Sequence, residues 1–296
     1  MKKKSWLKQM MAAIFVLSLF IQMHTTSDAS SSGTYQVKAN LLNVRTGPST
    51  HNHILGALKS NQIIQVKSIS NGWASFTFQG KSAYASAAYL QRATSSTIAN
   101  EFKTIGSNQQ LILVTTPSKG TSQATVQTFD KQSNGKWVQM LNISGIIGKS
   151  GFVSNFNENS VGSPTGKFTI TEAFGRQANP GTKLKYIRLT SDSVWVDNPK
   201  SQYYNTLQSI KKTHEQSEKM YIPQYDYGFV INYNTNRIPG KGSAVFFHIQ
   251  KGNYTLGCTA VSEQNVIKIL KWLNPKKHPV IIETPLDSAP FTTGAL

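Results

Sequence analysis

The chain of 296 residues holds one cysteine, Cys258, and places a histidine, His248, ten positions before it. A thiol becomes a strong nucleophile once it is held as thiolate by a nearby imidazole in a positive local field. The surrounding stretch, Gly240 to Ser262 (GKGSAVFFHIQKGNYTLGCTAVS), is built to bring the two together. The β-branched and aromatic run Ser243 to Ile249 predicts a buried strand that delivers His248 at its end. A polar turn, Gln250 to Asn253, brings the chain back, and Gly257 allows a sharp bend just before the thiol. Ser262 and Glu263 then read as N-cap and acidic first turn of a helix that buries Val266, Ile269, Leu270 and Leu273. This pattern places the sulfur between a strand end and a helix N-terminus. The same residue types also fit a buried apolar thiol and a hydrogen-bonded core histidine, and spacing alone leaves both readings open.

Composition narrows the setting. Met1 to Ala29 carries Lys2, Lys3, Lys4 and Lys8, then the apolar stretch Met10 to Met23, then Ser27-Asp28-Ala29, a small-residue cleavage pattern. That is the layout of a signal peptide, too short for a comfortable membrane span, and an uncleaved anchor is the alternative. The chain is therefore expected to be exported from a bacterial cell. An unpaired cysteine in an oxidising compartment is either buried or used. No second cysteine accompanies it, and His51, His53, His214 and His278 show no ligand spacing, so no metal is expected. The net charge is +18, and removing Lys2, Lys3, Lys4, Lys8 and Asp28 with the leader leaves +15. Such a surface favours polyanions. Export and the lack of a basic-aromatic groove argue against nucleic acid and for anionic wall polymers. Oligomeric state is not legible.

From Thr34 to Gln91 the chain reads as short strands separated by turns, with hairpin signals at Asn71-Gly72 and Gln79-Gly80. Closely spaced strands of this length predict a small barrel. Asn43, Arg45, Gly47, Pro48, Gly72, Trp73, Tyr89 and Leu90 resemble the bacterial SH3-like domain, with Ala85 where that family carries a bulkier apolar residue. The resemblance implies binding to cell-wall peptide or glycan; Trp73 and Tyr84 also read as ordinary barrel core. Residues 92–100 (RATSSTIAN) form a Ser/Thr-rich linker, and the rest, 101–285 followed by a tail at 286–296, reads as a mostly β domain. Two helices are expected in it, one within Tyr204 to Met220 with Leu207 and Ile210 on its inner face, the other after Ser262.

The motifs GKSGF, SPTGKF, WVDNPKSQYYN, YDYGFVINYN, GKGSAVFFH, GC and KWLNPKKHPVIIE occur in order as in one branch of the L,D-transpeptidase catalytic family. The resemblance implies a mainly β fold with two helices, no cofactor, Cys258 as nucleophile and His248 as base. It also implies an orienting backbone carbonyl at Ile249 and oxyanion donors at the Gly257 and Cys258 backbone. Asn198, Ser201, Tyr203, Tyr204, Arg237 and Thr255 fall in matching motifs as candidate substrate contacts, and each is equally consistent with shaping a loop. Three departures bear on substrate preference. Thr255-Leu256 stands where most members carry Ser-His, Ala260 where most carry Arg or Asn, and the His–Cys spacing is shorter than in the commonest branch. The implied activity is cross-linking of peptidoglycan stem peptides through an acyl-enzyme. A carboxypeptidase using water and a wall-binding protein with a decayed site are the alternatives. Cysteine endopeptidases of the wall place cysteine before histidine, and the order here is reversed.

Overall fold

The computed structural model describes residues 32–286 apart from 61, 94–98, 100–105 and 216. The expected signal segment 1–29, most of the expected linker 92–100 and the tail from 287 lie outside the described residues.

The first sheet has seven strands. In spatial order they are Ile54–Lys59, Leu41–Arg45, Lys81–Ser86, Trp73–Phe78, Ile63–Ser70, Gly33–Val37 and Leu90–Arg92. Alternate residues point inward, so Val37, Leu42, Val44, Leu58, Val66 and Phe76 close one apolar core. Asn71-Gly72 (φ 48° and 78°) and Gln79-Gly80 (φ 50° and 76°) are left-handed at both positions, as two-residue hairpin turns require. Ala85 is fully buried in this core. Trp73 and Tyr84 are only half-buried.

A ten-stranded sheet carries most of the rest, beside a two-stranded and a three-stranded one. Its order is Gly166–Thr169, Val280–Pro285, Gln110–Thr116, Gln123–Lys131, Trp137–Ile146, Thr259–Val261, Phe246–Ile249, Gly228–Val230, Glu172–Gly175 and Lys185–Arg188. The sheet curls on itself. Thr259 donates its hydroxyl to the Glu283 carboxyl although their strands stand four positions apart. Ile112, Val114, Val126, Phe229, Phe247, Val261 and Ile281 fill the interior, sealed by Val266, Ile269, Leu270 and Leu273 of the helix end and its C-cap. On the outer side Leu111, Leu113, Phe129, Trp137, Val280 and Ile282 form a second cluster, and Ile63 of the first sheet packs into it. The first sheet is thereby seated on the back of the second.

One expectation is narrowed and two need correction. The helix expected within Tyr204 to Met220 is a single turn, α1 (Ile210–Thr213), set between the strands Leu207–Ser209 and Glu218–Lys219, so Leu207 lies in a strand rather than on a helix face. Leu207 pairs with Trp195 in a three-stranded sheet, and left-handed His214 (φ 54°) stops the turn. Two inward-facing apolar residues are too few to sustain a longer amphipathic helix. The histidine strand begins at Phe246 rather than Ser243, because Ala244 is left-handed (φ 54°) and breaks the extended chain. Finally, Cys258 heads the strand Thr259–Val261, and α2 (Glu263–Trp272) begins only beyond it. The sulfur is therefore not at a helix N-terminus and receives no dipole field there.

Candidate active site

Strands Phe246–Ile249 and Thr259–Val261 run parallel, with Phe247 opposite Thr259, His248 opposite Ala260 and Ile249 opposite Val261. Because side chains alternate, Phe247, Thr259 and Val261 enter the interior while Phe246, His248 and Ala260 face the other way. Cys258, one step before Thr259, lies on that second face. It belongs to an aromatic cluster with Phe174, Trp195, Tyr225 and Phe246. Register, rather than closeness in sequence, thus brings thiol and imidazole to one side of the sheet.

Both groups line a cavity of about 630 Å³, together with Gly257, Leu256, Glu218 and Tyr225. Sγ of Cys258 accepts a hydrogen bond from Phe246 N at 3.3 Å and donates to the Ala244 carbonyl at 3.4 Å. Nδ1 of His248 lies 2.9 Å from the Ile249 carbonyl oxygen. A carbonyl only accepts, so Nδ1 carries the proton and Nε2 is left as the basic nitrogen. The Tyr225 ring stands edge-on to the imidazole, centroids 5.2 Å apart. Burial pushes the thiol well above its ordinary value, with Glu218 adding to the rise and the Phe246 N–H opposing it. Burial also pulls His248 down to about 4, against the Ile249 hydrogen bond. Both are neutral at rest.

The loop before the thiol is held from beneath. Ser163, fully buried, accepts from Gly148 N at 2.9 Å and points its hydroxyl at the Gly257 and Cys258 carbonyls, 2.7 and 3.2 Å away. Thr255 donates to the Cys258 carbonyl at 2.6 Å and accepts the Gly257 N–H at 3.2 Å. A Cβ at Gly257 would come within 3.0 Å of the Phe156 ring, so glycine is required by close approach.

Of the candidates read from sequence, the cavity brings together Cys258, His248, Gly257 and Thr255. The others are engaged elsewhere. Asn198 accepts from Lys200 N, and Ser201 donates to Glu215. Tyr203 stacks under Lys212, and Arg237 donates to the Gln202 carbonyl beside a second cavity. Tyr204 is buried and donates to Glu158, a residue that does line the thiol cavity.

Sequence reasoning missed the acidic wall. Glu158, Asp197 and Glu218 all line this cavity, in a chain with thirteen acidic residues. Burial raises Asp197 and pushes Glu218 up to about 7, where the Tyr225 hydroxyl donates to it. The clue was present: Asp197 and Tyr225 sit inside quoted motifs, and acids are scarce in so basic a chain.

Residues 40–91 match the profile described as bacterial SH3 domain, and residues 123–282, more than half of the chain, match that described as L,D-transpeptidase catalytic domain. A protein of Bacillus subtilis (strain 168) described as "Uncharacterized protein YfhK" is 44% identical over 66 residues, which cover 22% of this chain and 38% of that protein.

Proposed function

Because the chain belongs to the L,D-transpeptidase catalytic-domain family, we propose that it is an exported enzyme that cross-links peptidoglycan stem peptides through a thioester on Cys258. The observation that carries this reading is the placement of Cys258 and His248 on one face of a parallel strand pair, both lining one cavity. We further propose the division of labour read from sequence: 34–91 binds wall, and the domain running to 285 does the chemistry.

In this reading the resting pair is neutral, so the proton moves during attack. Nε2 of His248 takes the thiol proton as Sγ bonds to the carbonyl carbon of the L-centre of a stem-peptide diamino acid. The Gly257 and Cys258 N–H groups hold the oxyanion, each such donor typically supplying about 3 kcal/mol. Gly257 N–H must first exchange its bond with Thr255 for one to the oxyanion. The imidazolium then protonates the departing amine of the terminal D-residue, leaving the thioester. An amine from a second stem attacks it, His248 takes the amine proton, and the thiol is restored as the new amide forms.

The test is product analysis with a purified tetrapeptide stem as donor and an amine-bearing stem as acceptor. A cross-linked product is expected. Release of tripeptide alone would make the enzyme a carboxypeptidase, and unchanged substrate with folded protein would overturn the reading.

A further inference from the structure

We infer that Asn205 is a positioning residue for Cys258, acting through the left-handed Ala244. The inference rests on the reading of Cys258 as the reacting group. Its starting point is that the sulfur is gripped by backbone: Phe246 N donates to it and the Ala244 carbonyl accepts from it. The segment that supplies both is an unusual piece of chain. Ala244 has φ 54°, a conformation that L-residues other than Asn and Asp rarely hold, so its surroundings must impose it.

Asn205 is what imposes it. Its Oδ1 accepts from Ala244 N at 3.2 Å and from Trp195 Nε1 at 2.9 Å. Its Nδ2 donates to the Tyr233 and Asn234 carbonyls, both at 3.0 Å. These four bonds use the whole capacity of the amide. The side chain therefore ties Ala244, whose own carbonyl on the next peptide faces the thiol, to Trp195 and to the Tyr233–Asn234 segment. Asn205 itself stays out of the chemistry. It lines a second cavity, with Val245, while Ala244 lines the cavity of Cys258. Nothing in the position of Asn205 serves the sulfur except through this strap.

Removing the amide frees the Ala244 N–H and lets residue 244 relax to negative φ. The carbonyl and the following Phe246 N–H then leave the sulfur. Loss of that N–H removes the one hydrogen bond that favours thiolate, so the thiol ionises at higher pH.

The experiment uses the full chain and two readouts. One is the pH midpoint of Cys258 alkylation by iodoacetamide. The other is the first-order rate and half-saturating concentration for acylation by a carbapenem. Asn205→Ala should raise the midpoint and slow acylation at least about tenfold at unchanged half-saturation. The double variant Asn205→Ala with Ala244→Gly should restore both in part, because glycine enters the left-handed conformation without the steric cost that alanine pays there. Asn205→Asp keeps the acceptor edge but sets an oxygen against two carbonyls. It should lower the melting temperature while keeping the wild-type limiting acylation rate at a pH above its own midpoint, which separates positioning from stability and from the added charge and covers the case in which the alanine variant does not fold. A wild-type midpoint and rate in folded Asn205→Ala, a slowed limiting rate in Asn205→Asp above its own midpoint, or no rescue by Ala244→Gly would overturn the inference. An unacylated wild type would instead count against the proposed function, with the alkylation midpoints still deciding the role of Asn205.

Discussion

His248 donates its Nδ1 proton to the carbonyl of the next residue, Ile249, at 2.9 Å, and this fixes the imidazole as a base through Nε2. Burial holds His248 unprotonated down to about pH 4, against an ordinary value of 6.5. Between those limits the unfolded chain binds a proton at this residue and the folded chain does not. Stability is therefore lost as pH falls through that window, by about 3 kcal/mol if the whole shift is realised. His248→Gln should flatten this slope in urea titrations at pH 7 and pH 4.5. It should also slow acylation by roughly 10²–10⁴, the usual cost of losing a general base.

Glu283 predicts the opposite slope. It is fully buried on the interior side of the sheet, accepts from Thr259, and its Oε2 has no partner among the described residues. Burial lifts its carboxyl from 4.5 to about 8. In that range the folded state keeps a proton that the unfolded chain has released, so stability falls as pH rises from 4.5 to about 8. Glu283→Gln keeps the shape without the titration. Melting temperatures measured across pH 5 to 8 should decline more steeply in the wild type than in the variant, where His248 and Glu218 still titrate; parallel curves would contradict this account.

These two residues also mark what the sequence made legible. The short strands, both Asx-Gly-like hairpin turns and the helix after Ser262 follow from local alternation and turn chemistry, so they were readable. Cys258 and His248 were readable as types at a spacing. What was not readable is how they meet: the parallel register of two strands of three and four residues depends on pairing partners far away in the chain. Ala244 looked like part of a strand because its left-handed turn is imposed from Asn205, thirty-nine positions earlier. Glu218, Asp197 and Glu158 come from three separate segments, and no local pattern gathers them into one wall. The acidic interior residue Glu283 sits in an apolar strand, PVIIET, where only the curl of the sheet reveals its Thr259 partner.

Gly257→Ala tests the tight approach beside the thiol. The new methyl would meet the Phe156 ring at 3.0 and 3.1 Å. The ring must shift, and the loop that carries the proposed oxyanion donor shifts with it. The expected outcome is a loss of about 1–3 kcal/mol of stability from overpacking and a larger proportional loss of acylation rate. Wild-type rates would show that the Gly257 N–H is not where the reaction needs it.

Leu256 is the most exposed large apolar residue among the described residues, 67% accessible, and it lines the same cavity. Its replacement by histidine should leave the melting temperature within the range of ordinary surface changes, about ±0.5 kcal/mol. Rate or acceptor preference should change, measured as the ratio of cross-linked to hydrolysed product. An unaltered ratio would place this position outside the acceptor path.

The most direct test is intact-protein mass spectrometry of the purified chain after brief exposure to a stem tetrapeptide, followed by peptide mapping. The account predicts an added mass equal to the donor less its terminal D-residue, attached at Cys258 and absent in Cys258→Ser. A folded wild type that gains no mass, or one that carries the adduct on another residue, would contradict it.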